Sequence, residues 1–455
     1  METVRKYKYQ RILAPIVIGA FFCFLCIFYG IGEYPDSVTY INGSIEREPL
    51  YPLLLKGMHF LLGDAYLWGV IILQNILAFL VNWYLYHEIN RHFQLNLLLQ
   101  WGVLAVLLVP HLLSGVFTSS GIILTNAVLS EGITLSLYQL FFILLYNLWA
   151  EQKIGYAAAA FMTAFVTTLA RGQMLPMLLL WMLVMLVTVI RTCKKWWKGL
   201  CTVILILLMT VFAFGMRSAL IAGYNQMMYG VCIGNTGGKM TILTNVLYSM
   251  DEKTVHRTAE KLPSDEKDLL ELIYEKASAS TYTVKDSGKS ILERIRHHED
   301  SHDRMKFEIL YPELEHYVKE HMPQLSSEEV RYRMDQLAGK YELSLLKENP
   351  GDFLGTYLYV ICGGFIRTVS VLNPVPAVYA LAIYIVAMVL MWYVFKRKRN
   401  IRAAGMMALV LLMIAANVCA TGLTIMCLSR YMIYNTAIFY AAGIVLLQAA
   451  SGKTK

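Results

Sequence analysis

Apolar runs of about 20 residues, each long enough to cross a hydrocarbon core of about 30 Å as a helix, recur from Ile12 to the C-terminus. The pattern predicts membrane-spanning helices near 12–32, 66–88, 95–112, 125–148, 154–171, 172–190, 199–222, 375–395, 402–426 and 430–450. One long polar stretch, 223–350, interrupts the series. Within it, Glu266–Ala277 and Ser327–Lys347 have helical periodicity, whereas Gly234–Gly238 and Ser278–Ser290 read as loop, which predicts a small, mostly α subdomain. The segment 353–372 is apolar enough to pass for an eleventh span. Counting it would put the cations from Lys396 to Arg402 on the opposite side from every other basic cluster, so it reads as an interfacial or re-entrant helix. The expected fold class is all-α, a polytopic membrane bundle of about ten transmembrane helices. Its expected parts are an N-terminal transmembrane domain (1–222), the polar subdomain (223–350), and the interfacial helix with three C-terminal spans (351–455).

Composition supports that reading. Of 455 residues, 57% are hydrophobic and 16% charged, whereas soluble globular chains carry about 25% charge. An ordinary cytosolic enzyme is excluded, and the charge is too low for a disordered chain. Of eight cysteines, Cys23 and Cys26 have CxxC spacing but lie inside the first apolar run, and with no second such pair or Cys/His spacing the set suggests neither a disulfide framework nor a metal site. The 29 tyrosines point to aromatic belts and an aromatic-lined polar cavity. The opening METVRKYKYQR is basic and no small-residue cleavage site follows the first apolar run, so that run reads as an uncleaved first span.

Charge sets the expected topology. Outside 223–350 there are 23 Lys plus Arg, and 17 of them fall at one set of span ends: Arg5, Lys6, Lys8, Arg11, Arg91, Lys153, Arg191, Lys194, Lys195, Lys198, Lys396, Arg397, Lys398, Arg399, Arg402, Lys453 and Lys455. By the positive-inside rule those ends, with both termini, are cytoplasmic. The stretch 223–350 then lies outside, with 17 Lys plus Arg against 22 Asp plus Glu, a net of −5, while the remainder carries +13. The overall charge of +8 is therefore a topology signal, and no nucleic-acid partner is expected.

Six cations stand apart: Arg47, Lys56, Arg171, Arg217, Arg367 and Arg430. A charge in or beside a membrane is costly, which makes each a functional candidate, with snorkelling to lipid headgroups as the simpler role. Arginines converging at one level suit an anion, because the planar guanidinium fork grips a phosphate through two hydrogen bonds. The first outer loop holds Glu33, Asp36, Glu46 and Glu48 within sixteen residues, followed by the Pro49-Leu-Tyr-Pro52 turn. Such carboxylates are either solvated loop charges or a source of a general base for an attacking hydroxyl. Glu131, at the outer start of a span, is expected to pair with a stray arginine. The run from His297 to Asp303 has metal-ligand residue types but no second cluster, so no metal site is expected there.

An Asp in the first outer loop, a Tyr four residues on, then Arg-x-Pro-x-Tyr-Pro (Asp36, Tyr40, Arg47, Pro49, Tyr51, Pro52) resembles the opening of GT-C membrane glycosyltransferases. More narrowly it is similar to the group that includes protein O-mannosyltransferases and the aminoarabinose transferase of lipid A. Ser130-Glu131 opening a span, Arg171 before a Pro-containing span, Arg430-Tyr431 heading the last span, and Asn349-Pro-Gly-Asp-Phe353 also fit. The likeness covers roughly 1–222 and 350–450 and rests on the order of short motifs. Ser37 stands where many members have a second acidic residue, which leaves metal assistance through an acidic pair open: no cofactor is expected, with a divalent metal as the alternative.

The resemblance implies a lipid-anchored donor, a sugar on polyprenyl phosphate or diphosphate, and inversion at the anomeric carbon. It implies Asp36 as general base on a glycan, lipid or protein acceptor, and Arg171 and Arg430, with Arg47 beside them, on the lipid phosphate. Tyr40, Glu48, Tyr51, Glu131 and Tyr431 are the pocket candidates. A bacterial plasma membrane is the expected location. Three other classes compete: a transporter or flippase, which would carry ionisable residues near the bilayer midplane; a polysaccharide polymerase or ligase, which would carry arginines in its large loop; and a non-enzymatic membrane receptor or assembly factor, which substitution at Asp36 would separate from any enzyme.

Overall fold

The computed structural model describes residues 2–117, 121–234 and 237–452, with side chains from Ile12 onward except Phe117. Of the topology cations, Arg5, Lys6, Lys8, Arg11, Lys453 and Lys455 lie outside the described side chains, as do residues 235–236 of the predicted Gly234–Gly238 loop. The regular elements are helices, and the extended pairing found among the described residues is an isolated bridge between Gly32 and Ala127. The protein is an all-α polytopic membrane protein. Nine described helical segments are long and apolar enough to cross a bilayer, and the 17-residue Ile154–Ala170 helix adds a shorter apolar one. Helix Pro350–Val369, at the segment read as interfacial, is not among the nine.

The chain divides into two compact units. The first comprises residues up to Arg217, Val378–Asn417 and from Ser429 on. Helix Glu131–Glu151 is its most enclosed span, with 78% of its most apolar window buried, against 22% for the first span. The buried span carries Tyr138, Gln139, Tyr146 and Asn147 among its apolar residues, as a helix surrounded by protein can. The outer helices turn Leu, Ile, Val and Phe outward, the arrangement a lipid-facing surface requires. Gln94 and Gln152, both in the left-handed region, end helices Tyr66–Phe93 and Glu131–Glu151.

At those two helix ends lies an ionic knot. Arg91 bridges Glu88 and Glu151, Lys153 sits 2.7 Å from Glu151, and Asn147 donates to Glu88 at 2.7 Å. Glu88, His92 and Glu151 bring ligand-type atoms within 4.8 Å of one another. Arg91 and Lys153 already neutralise these carboxylates.

The second unit comprises Ser218–Ala377 and Val418–Leu428. Its helices include Gly238–Ser249, Ser264–Ala279, Ile291–Arg304, Ser327–Glu348 and Pro350–Val369. Capping boxes at Ser290/Glu293 and Ser326/Glu329 start two of them, and Asp335 starts a third from a distance by accepting the backbone N–H of Gly237 (2.9 Å) and Lys239 (3.0 Å). Buried Leu243, Leu247, Leu270, Ile273, Leu314 and Tyr341 fill its core.

Candidate functional site

The loop that follows the first span is held by backbone. Gly32 exchanges hydrogen bonds with Asn126 and Val128, and the Asn126 side chain donates to the carbonyls of Leu25 (2.9 Å) and Gly30 (2.7 Å) at the end of the first span. The loop is thereby tied to the entry of helix Glu131–Glu151. Asp36 then occupies the N-cap position of the short helix Ser37–Ile41, yet its carboxylate makes no capping bond. Ser130, at the N-cap of Glu131–Glu151, also leaves its cap unmade. A cap of this type is worth about 1 kcal/mol, so both side chains forgo local stabilisation for other partners.

Those partners form an alternating chain of charges. Arg47 Nη2 lies 3.0 Å from Asp36 Oδ1, and Arg430 Nη1 lies 3.3 Å from Asp36 Oδ2. Arg430 Nε is 4.0 Å from Glu131 Oε1, and Arg171 Nη1 is 2.7 Å from Glu131 Oε2. Four stretches of chain far apart in sequence therefore meet in one unit. With both carboxylates ionised, three arginines against two carboxylates leave a surplus of +1. The aromatic rings serve as spacers. Arg47 stacks over Tyr40 at 4.5 Å, while Arg171 and Arg430 stack over Tyr431 at 4.6 and 4.8 Å. The Tyr40 hydroxyl bonds Ser130 Oγ at 2.9 Å, and Tyr51, fully buried, sets its ring edge-on to Tyr40 at 5.2 Å while donating to Gln74. Tyr51 thus supports Tyr40 from behind.

Exposure differs widely among the five, 39% for the Asp36 side chain, 25% for Arg47 and 21% for Arg430 against 15% for Arg171 and 3% for Glu131. Asp36 is the member most open to solvent, and Glu131 is an internal counter-ion. Burial alone would raise the Asp36 carboxyl, but the Arg47 and Arg430 guanidiniums outweigh it and hold the group below the ordinary carboxylate range. Burial pushes the Tyr40 hydroxyl up, so it stays a neutral donor. Arg430 Nε and the Tyr434 hydroxyl are buried without a hydrogen-bond partner, two donors at the site left unmatched.

Arg171 is set by its own turn. It leaves helix Ile154–Ala170 with extended backbone and bonds Gln173 at 2.9 Å. Behind it, Arg217 Nη2 meets Glu48 Oε1 at 3.2 Å and Arg217 Nε donates to the Thr168 carbonyl. The pair packs so close to Gly172 that a Cβ there would collide with Glu48 and lie 3.1 Å from Arg217. Burial raises the Glu48 carboxyl despite Arg217, which fits a packing role.

Of the six stray cations, Arg47, Arg171 and Arg430 join the network and Arg217 adjoins it. Arg367 lies in the second unit, paired with Glu299 and the Cys427 carbonyl, and Lys56 is exposed. Glu33 is exposed as well. The Pro49–Pro52 turn is the start of helix Leu50–Leu62, where proline is tolerated because the first-turn N–H groups lack partners. In the run from His297 to Asp303, His298 and His302 are buried core residues, His298 bonding Asn245 at 3.0 Å.

No protein-family model, curated protein or solved structure matches this chain. Function rests on the site itself. A cationic surplus behind an accessible carboxylate can bind an anion while holding a base beside it.

Proposed function

We propose that the protein is an integral membrane glycosyltransferase that moves a sugar from a polyprenyl-phosphate or polyprenyl-diphosphate donor to an acceptor hydroxyl, with inversion. It works on the outer face of a bacterial plasma membrane, with both termini cytoplasmic. The observation that carries the reading is the Arg47–Asp36–Arg430–Glu131–Arg171 chain, with its surplus positive charge and its most exposed member a carboxylate.

The chemistry follows from competition for arginine. The donor phosphate draws Arg430 and Arg171, and Asp36, losing part of its pairing, becomes a better proton acceptor. Asp36 takes the proton of the acceptor hydroxyl as the acceptor oxygen bonds to the anomeric carbon. The bond from that carbon to the phosphate oxygen breaks, and polyprenyl phosphate or diphosphate departs with the electron pair. Charge developing on it meets guanidiniums already in place, a stabilisation worth about 2.7–4 kcal/mol per well-placed donor.

The test is donor consumption by purified protein in liposomes, with radiolabelled polyprenyl-phosphate sugars and a cell-envelope extract as acceptor. Turnover by wild type and its loss in folded Asp36→Asn and Arg430→Ala supports the reading. Full turnover in Asp36→Asn removes Asp36 as base, and a wild type that consumes no donor overturns the transferase.

A further inference from the structure

The second unit contains an open cleft of about 470 Å³ that the charge network does not use. Five elements build it: the link between helices Gly238–Ser249 and Glu252–Ala259, helix Ser264–Ala279, the short turn Val284–Asp286, the N-terminal part of Ile291–Arg304, and the first turns of Pro350–Val369. Its rim is polar and of both signs. Asp251, Glu252 and Asp352 supply carboxylates, and Lys285 and Arg294 supply cations. Tyr274 and Tyr359 give it aromatic walls, and Gly355 lines it with nothing within 4 Å of where a Cβ would stand.

Several of these groups are held in place by local bonds. Asp251 accepts from Thr254 N at 2.7 Å, Arg294 donates to the Gly288 carbonyl at 3.2 Å, and the Tyr274 hydroxyl donates to the Met250 carbonyl at 3.1 Å. Tyr359 is different. It is 7% exposed and lines the cleft, and its buried hydroxyl lies against the Thr356 and Tyr248 hydroxyls without a hydrogen bond of good geometry. A buried hydroxyl left wholly uncompensated costs about 1–3 kcal/mol and a poorly paired one part of that, and a polar ligand or the water it carries would supply a better bond.

We infer that this cleft binds a glycan. Three carboxylates against two cations leave it near neutrality, so a strongly basic peptide meets Lys285 and Arg294, and an anionic ligand meets the carboxylates. A polyhydroxylated, uncharged ligand suits it better: sugar hydroxyls both donate and accept, the apolar faces of the rings pack on tyrosine, and the bare backbone at Gly355 admits a ring. The volume falls within the range of small-molecule sites, about 300–1,000 Å³.

The test is saturation-transfer difference NMR on the full-length protein in detergent micelles with maltotriose, mannotriose and tri-N-acetylchitotriose, no lipid donor present. At least one trisaccharide gives a signal that unlabelled sugar in excess competes away. Gly355→Trp fills the cleft from open space without removing a bond and weakens binding at least about tenfold. Tyr359→Phe, which removes the hydroxyl alone, weakens it about threefold to tenfold. Asp36→Asn binds as wild type does, so the result stands apart from the fate of the transferase reading. A sugar signal that survives in folded Gly355→Trp, no competable signal with any of the three, or binding of a Lys-rich peptide in their place overturns the inference.

Discussion

Replacing Glu131 by Gln separates an anion site from a merely structural ion pair, because the two roles move stability and affinity in opposite directions. Glu131 is 3% exposed, 2.7 Å from Arg171 and 4.0 Å from Arg430. Removing one partner of a buried pair costs about 3–5 kcal/mol. Glutamine keeps the shape and one accepting oxygen, which places the variant at the lower end of that range. The surplus charge of the site rises from +1 to +2. An anion about 8 Å away gains about 2 kcal/mol at an effective dielectric of about 20, and about half that once solvent screens the open end, or about fivefold to tenfold in affinity. The assay is thermal melting in detergent, followed by intrinsic fluorescence, titrated with farnesyl phosphate and with farnesol as the uncharged control. The variant should melt below wild type, yet farnesyl phosphate should restore more of its stability than it adds to wild type, since ligand stabilisation grows with concentration over Kd. Unchanged melting refutes the counter-ion role, and weaker or equal stabilisation by farnesyl phosphate refutes the anion site.

Asp36 gives a pH signature. Its folded pKa lies below the ordinary value of about 3.9, so its pairing with Arg47 and Arg430 contributes fully above about pH 4 and is lost as pH falls through the folded value. Melting of wild type should fall more steeply below about pH 4 than melting of Asp36→Asn; parallel curves would contradict this. Gly172→Ala forces a methyl against Glu48 and Arg217 and should cost about 1–3 kcal/mol, read by melting, with turnover falling as the Arg171 turn shifts. Arg367→Met leaves Glu299 buried without its partner and should cost about 3–5 kcal/mol, seen as new trypsin cleavage within Ser218–Ala377 while farnesyl phosphate stabilisation is retained.

The spans were legible because a 20-residue apolar run has few alternatives to a membrane helix. The subdomain helices at 264–279 and 327–348 were legible too, since helical periodicity and good helix formers are local signals. Helices Gly238–Ser249 and Ile291–Arg304 were less so, one started by Asp335 from far along the chain and the other built from charged residues around a buried His298 and His302. For the site, residue types singled out Asp36, Arg171 and Arg430 as costly charges, but which cation meets which carboxylate depends on helix packing across hundreds of positions. Thus Arg217 carried the same sequence signal as Arg430 and proved to hold a turn, and Arg367 belongs to the other unit. Ser130 was visible only as a neighbour of Glu131; its bond to Tyr40 has no local signature.

Helix Glu131–Glu151 is locked at both ends by arginine, to Arg171 and Arg430 at one and to Arg91 at the other. Its 21 residues rise about 30 Å, the thickness of a hydrocarbon core. Lipid-facing helices accommodate a thicker or thinner bilayer by tilting, but a span clamped by ion pairs at both interfaces has little freedom to do so. The helix therefore acts as a ruler. It fixes the distance between the charge chain at one end and the ionic knot at the other by protein geometry, whatever the thickness of the surrounding bilayer.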